Sequence, residues 1–101
     1  MIITRWQAPV TPTLEQMKQI LISEGWEILE EHLGSKAKVA EHRHPFCELR
    51  FVAKGELVVS VSGNQFLLRE GDRVEIAPNT RHWHSNNLDA ECFCLYGQKP
   101  V

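Results

Sequence analysis

The sequence predicts an all-β fold, a single small antiparallel β-barrel that carries one N-terminal α-helix. Two observations support this prediction. Apolar residues recur at helical spacing only before Gly25, and beyond it they alternate at a period of two. Turn-forming residues interrupt the alternation at regular intervals, which is typical of short strands in a sandwich or barrel. A chain of 101 residues suits one domain, with residues 1–25 forming a strand and the helix and residues 26–97 forming the barrel.

The N-terminal segment contains the predicted helix. Residues 1–6 alternate weakly and predict a short strand at a sheet edge. Thr13 and Gln16 match a capping box, a pair of reciprocal hydrogen bonds at a helix start. Apolar side chains follow at helical spacing: Leu14, Met17, Ile20 and Leu21. Gly25 stands where a left-handed residue ends a helix, and we expect this helix to pack on the outside of the domain or at a subunit interface.

Eight predicted strands occupy the rest of the chain. In order they are residues 26–31, 37–44, 48–53, 57–61, 66–68, 74–76, 82–85 and 91–96. Ser62-Gly63-Asn64 separates two of them with a turn of the hairpin type, and Glu70-Gly71-Asp72 marks a further turn. Because no strand-helix-strand pattern occurs, the strands predict one antiparallel barrel rather than a parallel sheet.

The composition and charge of the chain exclude several classes of protein. With 11 basic and 13 acidic side chains the formal charge is −2, and basic residues do not cluster, so nucleic acid is not expected as a partner. No apolar run approaches the ~20 residues of a transmembrane helix, and the N-terminus lacks the pattern of a signal peptide. We therefore expect a cytoplasmic protein that does not bind membranes. Its three cysteines predict reduced thiols rather than a disulfide framework.

The stretch from Glu41 to Gly55 contains the strongest indication of chemistry. His42 and His44 are two residues apart, so on an extended strand their side chains share a face. Pro45 interrupts the strand, and a bend there brings Glu48 to the same side. Two imidazoles and one carboxylate that converge in this way form one face of a site for a divalent metal.

His82 is the candidate for a fourth metal ligand. It lies two or three hairpins downstream, a distance that can return a strand of an antiparallel barrel to face the first one. Three imidazole nitrogens and one carboxylate oxygen suit Fe, Mn, Ni, Cu or Zn rather than Ca or Mg. Four protein ligands leave two positions of a six-coordinate metal open to water, substrate or dioxygen, whereas a tetrahedral zinc would be nearly saturated and structural.

These residues resemble the first motif of the cupin family, and the chain is similar to a small single-domain cupin of the jelly-roll type. The motif Gly-x5-His-x-His-x3,4-Glu-x6-Gly is matched with its spacing at four positions: His42, His44, Glu48 and Gly55. Lys36 stands at its first glycine position, so that element is absent.

The second cupin motif, Gly-x5-Pro-x-Gly-x2-His-x3-Asn, aligns with Gly71, His82 and Asn86. Ala77 stands at its proline position and Asn79 at its second glycine. Asparagine tolerates the left-handed conformation better than most residues, so we expect the turn to survive. The resemblance covers roughly Glu27 to Tyr96, most of the chain, and together the two motifs fill all four ligand positions of the family.

The resemblance implies a range of functions, because cupins include dioxygenases, isomerases, epimerases, decarboxylases, seed-storage proteins and sugar-sensing modules. We expect a mononuclear metal-dependent enzyme of the dioxygenase or isomerase type that acts on a small polar organic molecule. The alternative is a non-catalytic module that binds or senses a small ligand, with a structural metal or a metal that anchors the ligand. A storage or scaffold role is the third hypothesis. An open, water-bearing metal position beside a second polar group would favour the enzyme.

His84 and Arg50 are the candidate catalytic residues. His84 is two residues from His82 on the same predicted strand, so the two side chains should point to the same face. His84 then either faces the cavity, as a general base or a donor that orients substrate, or lies partly exposed at the rim. Arg50 shares parity with Glu48 and needs an anion when it is buried. That anion is either a protein carboxylate, for which Glu75 is the candidate, or the carboxylate or phosphate of an anionic substrate.

The other aromatic and thiol side chains are assigned to packing or to the cavity mouth. Phe46 belongs to the turn that forms the mouth and is a candidate ligand contact. Trp83 faces away from the neighbouring histidines and is expected in a core or an interface. Cys92 and Cys94 share one strand face and are expected to act as small buried hydrophobes, and Cys47 is likewise expected to pack.

A homodimer is the expected assembly. The resemblance implies it, because small cupins commonly pair as dimers, and the predicted N-terminal strand needs a partner edge. Trp6 on that strand is the candidate anchor of the interface.

Overall fold

The chain folds into short strands and one helix. The computed structural model describes residues 1–99, and over that range it contains nine β-strands and one α-helix. In chain order they are β1 Ile2–Thr4, α1 Leu14–Ser23, β2 Glu27–Leu33, β3 Lys38–His42, β4 Cys47–Lys54, β5 Leu57–Val61, β6 Asn64–Leu68, β7 Arg73–Ile76, β8 His82–Ser85 and β9 Cys92–Lys99. Every predicted strand is present, with boundaries that shift by a few residues: β3 ends at His42 rather than at residue 44, and β9 continues to Lys99.

The strands form two antiparallel sheets. One sheet has five strands in the order β1-β7-β4-β9-β2, and the other has four in the order β3-β8-β5-β6. The prediction of a mostly β fold with one N-terminal helix is confirmed. The single closed barrel is not found, because the strand pairs of residues 1–99 belong to two open sheets and no ring of strands closes among them.

A hydrophobic core lies between the two sheets. The five-stranded sheet contributes Leu33, Val52, Val74, Ile76, Cys92 and Cys94, and the four-stranded sheet contributes Leu57, Val59, Val61 and Leu68. Because successive side chains of a strand point to opposite faces, the outer face of the five-stranded sheet carries a second apolar surface.

Helix α1 covers that outer face. Its buried side chains, Met17 and Leu21, pack against Leu49, Phe51 and Leu95 of the five-stranded sheet. Burial of this face stabilises a helix of only three turns that would be marginal in isolation. Among residues 1–99, no helix is long and apolar enough to cross a membrane.

The predicted ends of the helix are both present. The side chain of Thr13 accepts a hydrogen bond from the backbone N–H of Gln16 at 3.1 Å, and the side chain of Gln16 accepts one from the backbone N–H of Thr13 at 2.9 Å. Gly25 follows the helix with a φ of 83°, a left-handed conformation that glycine adopts without a Cβ clash. The capping box and the terminating glycine are therefore confirmed.

The four glycine positions of the two motifs are left-handed turn positions. The φ angle is 60° at Lys36, 85° at Gly55, 90° at Gly71 and 57° at Asn79. Such angles are unfavourable for residues with a Cβ atom, which explains a preference for glycine there. Asn79 keeps the turn as expected, and its backbone N–H donates to the carbonyl of His44 at 2.7 Å. This turn therefore lies directly beside the predicted metal ligands.

Asn86, the last residue of the second motif, connects two loops. Its side chain is fully buried, and its Nδ2 lies within hydrogen-bond distance of the carbonyl oxygens of Leu33, Gly34 and Ala90, at 3.1, 3.0 and 2.7 Å. Its Oδ1 accepts a hydrogen bond from the backbone N–H of Leu88 at 3.1 Å. Asn86 thereby holds the turn after β2 against the loop between β8 and β9.

Asp72 anchors the N-terminal segment to the turn before β7. Its carboxylate accepts hydrogen bonds from the backbone N–H groups of Trp6 and Arg69, at 2.9 and 3.0 Å, and from the guanidinium of Arg5 at 2.9 Å. Burial raises the pKa of Asp72, but these hydrogen bonds and the charge of Arg5 outweigh it, so the pKa is lowered overall. Trp6 is 36% exposed and lies beyond the end of β1 rather than on it. Because β1 already pairs with β7 of the same chain, the N-terminal strand does not need a partner subunit, and the homodimer stays a prediction.

Replacing Asp72 by asparagine should lower the free energy of unfolding near neutral pH by about 1–2 kcal/mol, because the hydrogen bonds lose their charge. The folded-state pKa lies below the unfolded one. The contribution is therefore present above the unfolded pKa of about 3.9 and is lost as the pH falls through the folded-state pKa. Urea denaturation of both proteins from neutral pH into acid measures this difference.

The control is Asp89→Asn, since the Asp89 side chain is 92% exposed and its loss should not change stability. If the difference in the free energy of unfolding between wild type and Asp72→Asn stayed constant in acid, the charge of Asp72 would not be what anchors the segment.

Candidate metal centre

The chain crosses from one sheet to the other between β3 and β4. β3 ends at His42 in the four-stranded sheet, and β4 begins at Cys47 in the five-stranded sheet. Residues 43–46 form the link, and it contains Pro45, which cannot donate a ladder hydrogen bond. The interruption at Pro45 is therefore present, but His44 lies in the link rather than on one strand with His42.

Four side chains converge at this crossing: His42, His44, Glu48 and His82. One potential ligand atom from each residue lies within 4.8 Å of all the others. Oε1 of Glu48 is 2.7 Å from Nε2 of His44, and Oε2 of Glu48 is 3.3 Å from Nε2 of His82. The rings of His42 and His82 have centroids 4.4 Å apart. The structure thus brings together the four residues that the sequence predicts as metal ligands.

Each of the three histidines has its Nδ1 atom beside a backbone carbonyl oxygen. These contacts join His42 to Ala40 at 2.8 Å, His44 to Phe46 at 3.3 Å and His82 to Thr80 at 2.8 Å. A carbonyl oxygen only accepts, so Nδ1 carries a proton in each ring, and a metal held by Nε2 would take the place of any proton on that atom. This is the tautomer that a metal ligand needs, and the carbonyl fixes the orientation of the ring.

The donor set fits a divalent transition metal. Nε2 of His82 is buried and has no hydrogen-bond partner among residues 1–99, which is costly unless a ligand satisfies the atom. Burial raises the pKa of Glu48, but the adjacent imidazole of His82 and the charge of Arg50 lower it to about 2. The carboxylate is therefore ionised at neutral pH. Three imidazole nitrogens and an ionised carboxylate suit Fe, Mn, Ni, Cu or Zn.

Arg50 lies beside the cluster, between two carboxylates. Its Nε is 3.3 Å from Oε2 of Glu48, and its Nη1 contacts Oε1 of Glu31. Its Cζ lies 4.5 Å from the centre of the Tyr96 ring. The buried guanidinium is thus paired with protein carboxylates on two sides and packed on an aromatic face.

The predicted pairing of Arg50 with Glu75 is wrong. Glu75 lies opposite Leu49 in the register of β4 and β7, and neighbouring residues of paired strands share a face. Its side chain therefore points to the outer face of the sheet, away from Arg50, and its Oε2 is 3.3 Å from Nη2 of Arg73.

His84 lies inside the sandwich rather than at its rim. It is 1% exposed, its Nε2 is 3.1 Å from Oε1 of Glu31, and its Nδ1 has no hydrogen-bond partner in the described part of the chain. Burial lowers the pKa of His84, and the hydrogen bond with Glu31 only partly offsets this effect. The ring is therefore uncharged at neutral pH, and Nε2–H donates to the carboxylate. Trp83 lies on the opposite face, under Nζ of Lys38 at 4.4 Å from the ring centre.

Glu31 belongs to this network, although the sequence analysis did not select it. It lies on β2 and shares the inward face with Leu33, which is 5% exposed. That parity is the signal that could have identified it, since an acidic residue on the buried face of a strand requires a partner.

The remaining predicted residues have packing roles. Phe46 stacks on His44, with ring centroids 4.0 Å apart and ring planes 4° apart. Cys92 and Cys94 are buried in the core between the sheets, and their sulfur atoms are 3.8 Å apart. Cys47 is half-buried, and burial raises the pKa of its thiol. The thiols thus lie where small hydrophobic side chains are expected.

Comparison with protein families gives one match. Residues 29–96, more than half of the chain, match the family described as "Cupin domain". That segment contains both motifs and all four residues of the cluster. A comparison with curated proteins gives no match.

Several solved structures share the fold. The salicylate 1,2-dioxygenase from Pseudaminobacter salicylatoxidans aligns with a TM-score of 0.68 and 28% identity, over 70% of this chain and 21% of that one. An RmlC-like cupin from Shewanella frigidimarina aligns with a TM-score of 0.67 and 20% identity, over 75% and 67%. Drosophila melanogaster CENP-C, solved bound to CAL1, aligns with a TM-score of 0.68 and 19% identity, over 71% and 63%. This chain therefore spans less than two thirds of the CENP-C chain in that structure and about a fifth of the dioxygenase chain.

Proposed function

Because the chain belongs to the cupin domain family, we propose that it is a metal-binding cupin in which His42, His44, Glu48 and His82 hold one divalent transition metal. The observation that carries this proposal is the buried, unpartnered Nε2 of His82 beside the ionised carboxylate of Glu48. Fe, Mn, Ni, Cu and Zn are the ions that such a donor set suits.

We further propose that the metal-bound protein is an enzyme of the dioxygenase or isomerase type that acts on a small polar organic molecule. The similarity to a salicylate 1,2-dioxygenase over 70% of this chain supports the dioxygenase form. A bound metal with open coordination positions supplies Lewis-acid or dioxygen-binding chemistry. Four protein ligands leave such positions on a six-coordinate ion.

The neighbouring residues would support that chemistry in two ways. Arg50 donates from Nε to Oε2 of Glu48, which orients the carboxylate. His84 carries its proton on Nε2 and donates it to Glu31, so Nδ1 is left as an acceptor. In the proposed enzyme, Nδ1 of His84 accepts a hydrogen bond or a proton from the substrate.

Elemental analysis of protein purified without an affinity tag tests the metal proposal. We expect about one transition metal ion per chain in wild type and less than about a tenth of that in His42→Ala, because one of four ligands is lost. His32→Ala is the matched control, since His32 is an exposed histidine paired with Glu91 on the outer face of β2. A wild type without metal, or His42→Ala with the wild-type content, would reject the proposal.

A further inference from the structure

Glu31 links the two sheets beside the cluster. It lies on β2, at the edge of the five-stranded sheet, and its side chain points into the space between the sheets. Its Oε1 lies 3.1 Å from Nε2 of His84, which belongs to the four-stranded sheet, and also contacts Nη1 of Arg50. One carboxylate oxygen therefore holds a residue of each sheet.

Two protein carboxylates compensate the positive charge of Arg50. Glu48 accepts from its Nε and Glu31 accepts from its Nη1, so one buried guanidinium lies between two carboxylates. A third anion that approached it would also lie close to both negative charges, which repel it. Arg50 is thus a positioning group for Glu48 and Glu31 rather than a free receptor for an anionic substrate.

The second oxygen of Glu31 is available to a ligand. Both hydrogen bonds of the carboxylate end on Oε1, and within residues 1–99 none ends on Oε2. The Glu31 side chain is 31% exposed, so the side chain is open to solvent. A carboxylate oxygen accepts but does not donate, and it therefore favours ligands with O–H or N–H groups.

We infer that Glu31 sets the ligand class of the proposed metal centre. It occupies Arg50 and presents Oε2, so the open metal positions take uncharged ligands that carry a hydroxyl or amino group in preference to anions. This inference rests on the proposed function, because it presupposes a metal held by the cluster. It replaces the expectation of an anionic substrate captured by Arg50.

Replacing Glu31 by glutamine should admit anions to the site. The substitution keeps the size of the side chain, removes its negative charge and frees Arg50 from one of its two carboxylates. Loaded with Co²⁺, Glu31→Gln should bind azide about tenfold more tightly than wild type, the effect of one charge at several ångströms in a partly buried site. The affinity for imidazole, which is uncharged above about pH 8, should change by less than about twofold.

Two matched variants control this experiment. Glu30→Gln removes the same charge from the outer face of β2, where Glu30 is 3.8 Å from Lys18, and it should bind azide as wild type does. Glu31→Asp keeps the charge and should bind azide less tightly than Glu31→Gln. The visible absorption of Co²⁺ follows both titrations, and circular dichroism verifies that each variant is folded.

The outcomes separate the inference from the proposed function. Equal azide affinities of Glu31→Gln and wild type would overturn the inference while metal binding stands. Equally tightened azide binding by Glu30→Gln would also overturn it, because loss of overall negative charge would then be sufficient. A wild type that binds no Co²⁺ would overturn the proposed function, and the inference with it.

Discussion

Replacement of Glu48 by alanine is expected to abolish metal binding and to lower the free energy of unfolding of the metal-free protein by about 3 kcal/mol. Glu48 is 1% exposed and contacts His44, His82 and Arg50. Its removal leaves the buried guanidinium of Arg50 with one carboxylate partner instead of two. Breaking a buried ion pair in this way costs more than the pair contributes as a whole, because the remaining charge stays desolvated.

Urea denaturation in the presence of a chelator measures the free energy of unfolding, and a Co²⁺ titration measures the metal affinity. Glu41→Ala is the control, since Glu41 is exposed and close in sequence to the cluster, and neither quantity should change. Metal affinity retained in Glu48→Ala would remove Glu48 from the ligand set. Unchanged stability would show that its ion pairs contribute nothing to the fold.

Replacement of Leu21 by alanine is expected to lower the free energy of unfolding by about 3 kcal/mol, without changing the affinity for Co²⁺. Leu21 is 0% exposed and lies in the cluster that joins α1 to Leu49 and Leu95 of the five-stranded sheet. Alanine leaves a cavity that close-packed neighbours fill only in part. The metal centre lies between the two sheets, on the opposite side of the five-stranded sheet from α1, so its geometry should survive.

The adjacent residue supplies the control for this prediction. Ile22→Ala shortens an aliphatic side chain on the same helix, but Ile22 is 59% exposed, and its loss should cost less than about 0.5 kcal/mol. Thermal or urea unfolding compares the two variants. Similar losses for both would mean that the helix does not pack on the sheet through Leu21.

Local patterns predicted most of the elements, because they depend on neighbouring residues alone. Thr13, Gln16 and Gly25 identified both ends of the helix, and alternation of apolar residues identified each strand. The division into two sheets depends on which strands pair across long sequence distances, and parity contains no information about partners. A closed barrel and a two-sheet sandwich therefore give the same alternation along each strand.

The residues of the candidate site likewise fall into those that local spacing predicts and those that it does not. His42, His44 and Glu48 are close in sequence, so their spacing was enough to place them together. Glu75 was wrongly paired with Arg50 because that pairing depends on register. Glu31 was missed although its parity with Leu33 places it on the buried face of its strand. Parity assigns a residue to one face of its own strand, whereas the pairing of β4 with β7 decides that Glu75 lies opposite Leu49.

The crossing between β3 and β4 has a consequence for the order of folding. Three residues of the cluster are neighbours in sequence, and closing such a short loop costs little chain entropy. His82 reaches them only when β8 has paired with both β3 and β5, a set of long-range contacts of the kind that forms slowly. The complete donor set exists only after this step. Uptake of metal during refolding would therefore report the docking of β8, and it would lag behind the formation of the individual strands.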